Sequence, residues 1–568
     1  MRTGRSSYQA SKWLTLALAT AITACAGKAS EPQPVVVAPV DPDDPFAAVE
    51  QGLSPLATAC TFNATTGLMT VVLAANETVV LSKRAADSAI LQNGYACTTA
   101  VTSSTLKKIT ITGAAGDETV VLDFTNGLFA TGTSSAASSG IAVDLAAGTD
   151  TLLVKGTSSA DTITYGATGI LLNTDTNKDI VPTNIETYKV SLGAGNDVFS
   201  ASGNATVGAA FGTAISVYGG SGNDTFSQGA TTTISETLFG GPGTDTVDYS
   251  LRTAALTVSV SATTDADDGL AGEADDIQSD VEVVTGGSAA DTMTAATGVA
   301  ATFNGGAGND TLIGDSGADV LSGGAGDDIL RGGAGADTLN GDAGDDRFDE
   351  ETTSNGGDVM NGGAGDHDVV DYSARTAALT VTMDGVAAND GETGETDNVK
   401  SDVEDIIGGT LADTITGNAS NNKIKGGTGN DVLSGGAGDD VFDQGTAADG
   451  NDTITGGTGA DTIDYSARTA VITAVLDGVT ASGDLTASEA DLLGTDVENL
   501  WGGDQADFLT GNALDNEIVG GAGNDTIDGG AGDDTIEGGL GDDTLTCGTG
   551  FDVRVGSAGT DVVGVSCE

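Results

Sequence analysis

Large apolar side chains are sparse in this chain, and through its centre a single one recurs at every ninth position. Across residues 305–349 these are Leu312, Leu321, Leu330, Leu339 and Phe348. Most of the residues between them are small or acidic. Gly305-Gly306-Ala307-Gly308-Asn309-Asp310-Thr311-Leu312-Ile313 is the first of five consecutive units, with Asp319, Asp328, Asp337 and Asp346 at the place of Asp310. The last three residues of each unit predict a short strand with its apolar side chain pointing inward. The glycines allow φ > 0, so the backbone turns tightly and exposes its carbonyl oxygens. Two units make one coil of a parallel β-solenoid, so equivalent positions recur on the same side every second unit. Asp310, Asp328 and Asp346 then line one edge of the stack, and Asp319 and Asp337 the other. The predicted fold is all-β, a parallel β-roll or β-solenoid.

The Gly-Gly-x-Gly-x-Asp pattern occurs eleven times, and residues 201–545 hold the strong repeats. Asp224 and Asp245 precede the central run; Asp431, Asp440, Asp461, Asp525, Asp534 and Asp543 follow it. The nine-residue phase outlasts the motif, through Asp413 and Asn422 before Asp431, and through Asp507 and Asn516 before Asp525. A longer module interrupts the repeats three times. Asp248-Tyr249-Ser250-Leu251-Arg252-Thr253 returns at 371–376 and 464–469, each copy running into an alternating strand, an acidic loop and Asp-Val-Glu. Threefold recurrence favours architecture, an Arg paired with a nearby carboxylate in a widened coil, over a functional Arg-Tyr face. Residues 57–200 show short alternating runs such as 106–112 and 119–124 with faint echoes of the repeat. They read as a degenerate β-solenoid with little metal before Asp197, or alternatively as a separate β-sandwich.

The chemistry follows from the turn. A carboxylate beside exposed carbonyls makes an all-oxygen site of the kind Ca²⁺ prefers. The units resemble the RTX (hemolysin-type) calcium-binding repeat family, and the resemblance implies Ca²⁺ held between the Gly-rich turns of successive coils. The candidate ligands are Asp224, Asp245, Asp310, Asp319, Asp328, Asp337, Asp346, Asp431, Asp440, Asp461, Asp525, Asp534 and Asp543. Asn422 and Asn516 keep an oxygen but lose a charge, and so are expected to be weaker sites. His367, the only histidine, adds one residue to the turn Gly362–Asp368, which puts Asp368 in the ligand place and His367 outside.

Composition narrows the reading further. A formal net charge of −63 excludes nucleic acid and anionic lipid as electrostatic partners, and makes the metal-free chain repel itself. With one histidine, Ser-His and Cys-His catalysis and His-based zinc have little to work with. Carboxylates abound, but their periodic placement assigns them to the turns rather than to glycosidase or lyase chemistry. Trp501 holds the place that Ile407 has in the preceding module, which suggests a buried apolar role.

The five cysteines complete the outline. Arg2, Arg5 and Lys12 precede an apolar run at 14–22, so residues 1–24 read as a secretory signal. Ile22-Thr23-Ala24-Cys25 resembles a bacterial lipoprotein cleavage box, which implies lipidation of Cys25 and export to the outer membrane. Residues 25–56 carry six prolines and read as a tether. In an oxidising compartment Cys60 pairs locally with Cys97, and Cys547 with Cys567. Residues 546–568 resemble the disulfide-closed C-terminal cap of related repeat proteins, covering the last open sheet edge. The expected function is calcium binding by a surface-anchored, non-enzymatic structural or adhesive rod. The alternatives are a β-helix lyase or epimerase acting on polysaccharide, or a secreted effector. Beyond Ca²⁺ and membrane lipid, the expected partners are extracellular polysaccharide or protein.

Overall fold

A computed structural model describes residues 53, 60–97, 101–129, 140–231, 234–262, 268–386, 389–556, 558–564 and 567. The predicted leader 1–24, Cys25 and, apart from Leu53, the tether 25–56 lie outside them. All described residues belong to one compact unit, Val40–Glu568. They contain strands and no helix, hence none long and apolar enough to cross a membrane.

In the central repeats one coil is 18 residues, as the paired backbones show. Thr302–Ala307, Val320–Ala325, Thr338–Ala343 and Val359–Ala364 stack in parallel on one face. Thr311–Ile313, Ile329–Arg331, Arg347–Asp349 and Val369–Asp371 stack on the opposite face. Parallel in-register pairing keeps each apolar residue above its equivalent, so Leu312, Leu330 and Phe348 form one fully buried column and Leu321, Leu339 and Met360 another. Each strand supplies one core side chain, and parallel pairing satisfies its peptide groups.

The N-terminal coils are wider and irregular. The hairpin Thr61–Asn63/Leu68–Val72 leads into parallel strands Lys108–Thr112 and Gly140–Asp144. On the other side Thr119–Asp123, Thr151–Lys155, Thr187–Ala194 and Ile215–Ser221 pair in sequence. Equivalent turns here are 32 and 36 residues apart, then 27 and 21, before the spacing reaches 18. Aromatic rings fill the extra width: Tyr165 packs edge-on against Tyr188 and Phe211 with centroids 6.2 and 5.3 Å away. One continuous core runs from Cys60 to Cys547, and the disulfides Cys60–Cys97 and Cys547–Cys567 sit at its two ends.

One expectation needs correction. Trp501 is half-buried rather than buried; Leu500 beside it fills the core, because neighbouring residues of a strand face opposite sides. The described residues of 546–568 hold the disulfide Cys547–Cys567 and two further short strands. Val553–Val555 and Val562–Val563 continue the stack with their side chains exposed. Arg554 stands in the column where Ile536 precedes it, 3.3 Å from Asp561.

Candidate metal centres

The aspartates of the turns form two hydrogen-bonded ladders along the stack. On one edge the Asp291 N–H donates to Asp310 Oδ1 (2.7 Å), Asp310 N–H to Asp328 Oδ1 (2.6 Å), Asp328 N–H to Asp346 Oδ1 (2.8 Å) and Asp346 N–H to Asp368 Oδ1 (2.8 Å). On the other, Asp319 N–H donates to Asp337 Oδ1 (2.7 Å) and Asp337 N–H to Asp358 Oδ1 (2.8 Å). The same linkage joins Asp224 to Asp245, Asp440 to Asp461, and Asp525 to Asp543. Each carboxylate therefore spends one oxygen on the backbone of the previous coil.

The second oxygen is what makes a site. In all thirteen predicted aspartates Oδ2 is buried and has no hydrogen-bond partner. A buried, unpaired carboxylate oxygen costs several kcal/mol unless a cation neutralises it. The glycines are shaped around that oxygen. A Cβ on Gly305 would lie 2.3 Å from Asp310 Oδ2, and one on Gly323 2.2 Å from Asp328 Oδ2. Gly306 and Gly308 have φ of 103° and 121°, and Cβ atoms on Gly324 and Gly326 would lie 2.2 and 2.1 Å from the carbonyl oxygens of Gly306 and Gly308. The turns thus stack backbone on backbone, with carbonyl and carboxylate oxygens gathered in one seam. Such a hard, all-oxygen donor set fits Ca²⁺. Where Asp315 and Asp342 replace the second glycine they adopt φ of 64° and 73°, a region short polar side chains tolerate.

The ladders also include residues that the repeat pattern missed. Asp358 and Asp552 have the same buried, unpartnered Oδ2, although neither follows a complete motif. Their local signs are a glycine two residues before the Asp, Gly356 or Gly550, and the core position two residues after it, Met360 or Arg554. Asp368 takes the ligand place across a 22-residue coil, while the side chain of His367 is mostly exposed, with Nδ1 3.4 Å from Asp405. Asn422 and Asn516, expected to offer an oxygen, do not: each Oδ1 already accepts the N–H of its own turn, from Asn418 and Asn512 (both 2.8 Å).

The three inserted modules are interior. Arg252, Arg375 and Arg468, with Tyr249, Tyr372 and Tyr465, are fully buried. Arg375 reaches Glu350 (2.7 Å) and Glu395 (2.9 Å); Arg468 reaches Glu489 (2.8 Å) and Asp449 (3.0 Å); Arg252 reaches Glu273 (3.0 Å). The tyrosine hydroxyls bond Asp275, Asp397 and Asp491. These arginine and tyrosine side chains present no face to a substrate.

Burial pushes the ladder carboxyls up, Asp310 and Asp346 to about 6 and Asp245 and Asp328 to about 7, with neighbouring carboxylates adding to it. These values exceed the ordinary 3.8 of an unfolded Asp, so the metal-free fold binds more protons than the unfolded chain. Its stability must fall as pH rises from about 4 to about 7. In chelator, the melting temperature is expected to be highest near pH 4 and to drop toward pH 7. Calcium added at pH 7 should release protons, measurable by calorimetry in buffers of different ionisation heat. A melting temperature that rises with pH in chelator would contradict this.

The RTX calcium-binding nonapeptide repeat (4 copies) matches residues 216–227, 300–330, 322–349, 407–442, 443–467 and 510–545. These segments contain every predicted aspartate except Asp245. No curated protein matches the chain. The chain carries RTX repeats, and through them it binds Ca²⁺.

Proposed function

From stacked RTX calcium-binding repeats as the premise, we propose that the chain is a surface-anchored structural or adhesive rod of the bacterial cell envelope, folding as it meets Ca²⁺ outside the cell. The observation that carries this reading is the continuity of the core from Cys60 to Cys547. A chain devoted to one stack has its surface, rather than a cleft, to offer a partner. The thirteen aspartates with unpartnered Oδ2 are its calcium ligands, with the carbonyls of their turns. Lipidated Cys25 holds the body to the outer membrane through residues 25–56. The interior position of the Arg-Tyr modules favours a non-enzymatic role, since catalysis needs groups that substrate can reach.

Expression of the full chain with its leader tests this. Cys25→Ser should move the protein from the membrane fraction to the soluble fraction. Deletion of 201–545 should lower calcium-dependent attachment of cells to polysaccharide-coated surfaces. Wild-type retention unaffected by Cys25→Ser would remove the anchor, and release of unsaturated sugars from acidic polysaccharide would replace the rod with an enzyme.

A further inference from the structure

Six rungs of the ladders are built differently. At Asp291, Asp413 and Asp507 the second carboxylate oxygen accepts a hydrogen bond from the N–H of its own turn, from Gly287 (2.8 Å), Gly409 (2.7 Å) and Gly503 (2.7 Å). Asp161 does the same with Thr157 (2.5 Å). Asn422 and Asn516 accept from Asn418 and Asn512. In every case the donor is the second residue of the turn, four before the acceptor.

What separates these turns from the others is the fourth residue. It is glycine in all thirteen predicted turns, in those of Asp358 and Asp552 (Gly356 and Gly550) and, counted in the longer turn of Asp368, at Gly365, but Ser159, Ala289, Leu411, Ser420, Gln505 and Leu514 in the six closed ones. Gly308, Gly326 and Gly344 occupy this position with φ of 121°, 134° and 137°, values that a residue with a side chain rarely adopts. A Cβ on Gly326 would also lie 2.1 Å from the Gly308 carbonyl oxygen. Gly243, Gly317, Gly335 and Gly429 lack the positive φ but share the close approach, with a Cβ 1.7, 2.5, 1.5 and 2.5 Å from a carbonyl oxygen of the preceding coil, so a larger fourth residue forces another path, and the second residue follows. Gly306, Gly324, Gly427 and Gly521 have positive φ, whereas Gly287, Gly409 and Gly503 do not. The turn then aims an N–H at the carboxylate.

We infer that the residue at the fourth position decides whether a rung takes Ca²⁺, and that these six rungs take none. The inference rests on the calcium-binding reading of the open rungs. Two of the closed rungs, Asp413 and Asn422, lie inside one repeat-matched segment, and Asn516 inside another, so the match alone overstates the sites. The placement has a purpose in the fold. Ser288, Thr410 and Asp504, each the third residue of a closed turn, donate their N–H to the carbonyls of Arg252, Arg375 and Arg468 (3.1, 3.1 and 3.0 Å). Each Arg-Tyr module is therefore followed by a turn that closes on it without metal. The carboxylate of that turn is satisfied by the backbone, while the arginine pairs with the acids of its own module. The calcium seam is divided into separate runs, around Asp224, Asp310–Asp346, Asp431–Asp461 and Asp525–Asp543, with metal-independent pins between them.

The test is the number of Ca²⁺ ions bound per full chain, measured by elemental analysis after equilibrium dialysis at saturating Ca²⁺. Asp413→Asn should leave that number unchanged, while Asp431→Asn, 18 residues further on, should lower it by at least one. Leu411→Gly alters a half-exposed side chain and should raise it by one. Equal losses from Asp413→Asn and Asp431→Asn, or no added ion in folded Leu411→Gly, would overturn the selector. A wild-type chain that binds no Ca²⁺ at all would instead overturn the calcium reading beneath it.

Discussion

Removing Ca²⁺ from the full chain is expected to abolish most of its far-ultraviolet β signal, and titrating Ca²⁺ back should restore it cooperatively. Thirteen buried carboxylates with an unpartnered oxygen and a net charge of −63 both oppose folding without a cation. Extracellular Ca²⁺ modules have Kd of roughly 10⁻⁴–10⁻³ M. At ~1 mM Ca²⁺ a site at the tighter end adds about 1.4 kcal/mol by mass action. Summed over thirteen such sites the linkage is on the order of 20 kcal/mol, larger than the roughly 5–15 kcal/mol net stability of an ordinary domain. Nearest-neighbour coupling between coils makes the transition steep. The midpoint should fall between micromolar and millimolar Ca²⁺. Mg²⁺ should not substitute, because it demands a tighter octahedron and gives up its water reluctantly. Half-buried Trp501, the only tryptophan after the predicted leader, reports the same transition by fluorescence. Full β structure in chelator, unchanged by Ca²⁺, would show the unpartnered oxygens to be tolerated as they are.

The central coil could be read from the sequence because its period is imposed by backbone geometry. An 18-residue coil leaves no freedom in where Asp310, Asp328 and Asp346 stand, and the hydrogen bonds connect them in that order. The N-terminal coils, at 32 and 36 residues, are filled by aromatic rings and follow no fixed period, so only their strand-like runs could be read. Trp501 was misjudged by one position. In a three-residue strand a single step exchanges inside for outside, and Leu500 already held the core. Asn422 and Asn516 show a subtler limit. An oxygen at the right spacing is only available if its turn leaves it so, and that depends on φ at another residue. The Arg375 cluster was half legible: an Arg-carboxylate pair was expected, but Glu350 lies 25 residues upstream, in the preceding coil.

Arg375→Ala should destabilise its own coils by about 3–5 kcal/mol even at saturating Ca²⁺, the usual cost of removing one partner from a buried ion pair. The guanidinium is fully buried and bonds Glu350, Asn355 and Glu395. Glu350, Glu395 and Asp397 can bring carboxylate oxygens within 4.8 Å of one another. Without the arginine, burial and mutual repulsion act on three acids with no cation between them. Asp397 is already pushed up to about 8 by burial and then by Glu350, with the arginine in place. The variant should therefore recover part of its loss on acidification, as protons take over the neutralising role. Arg375→Lys should restore only part of it, because an ammonium cannot reproduce the planar fork across three acceptors. The partly exposed Arg331, paired with Asp349, provides the comparison: Arg331→Ala should cost no more than about 1 kcal/mol. Because stacked coils open regionally, hydrogen exchange of residues 350–400 is a better measure than a single melting temperature. Protection in that segment should fall by two to three orders of magnitude in Arg375→Ala, while the run beyond Asp431 keeps its calcium-dependent protection. If both segments lose protection together, the modules are not independent pins, and the solenoid opens as one cooperative unit.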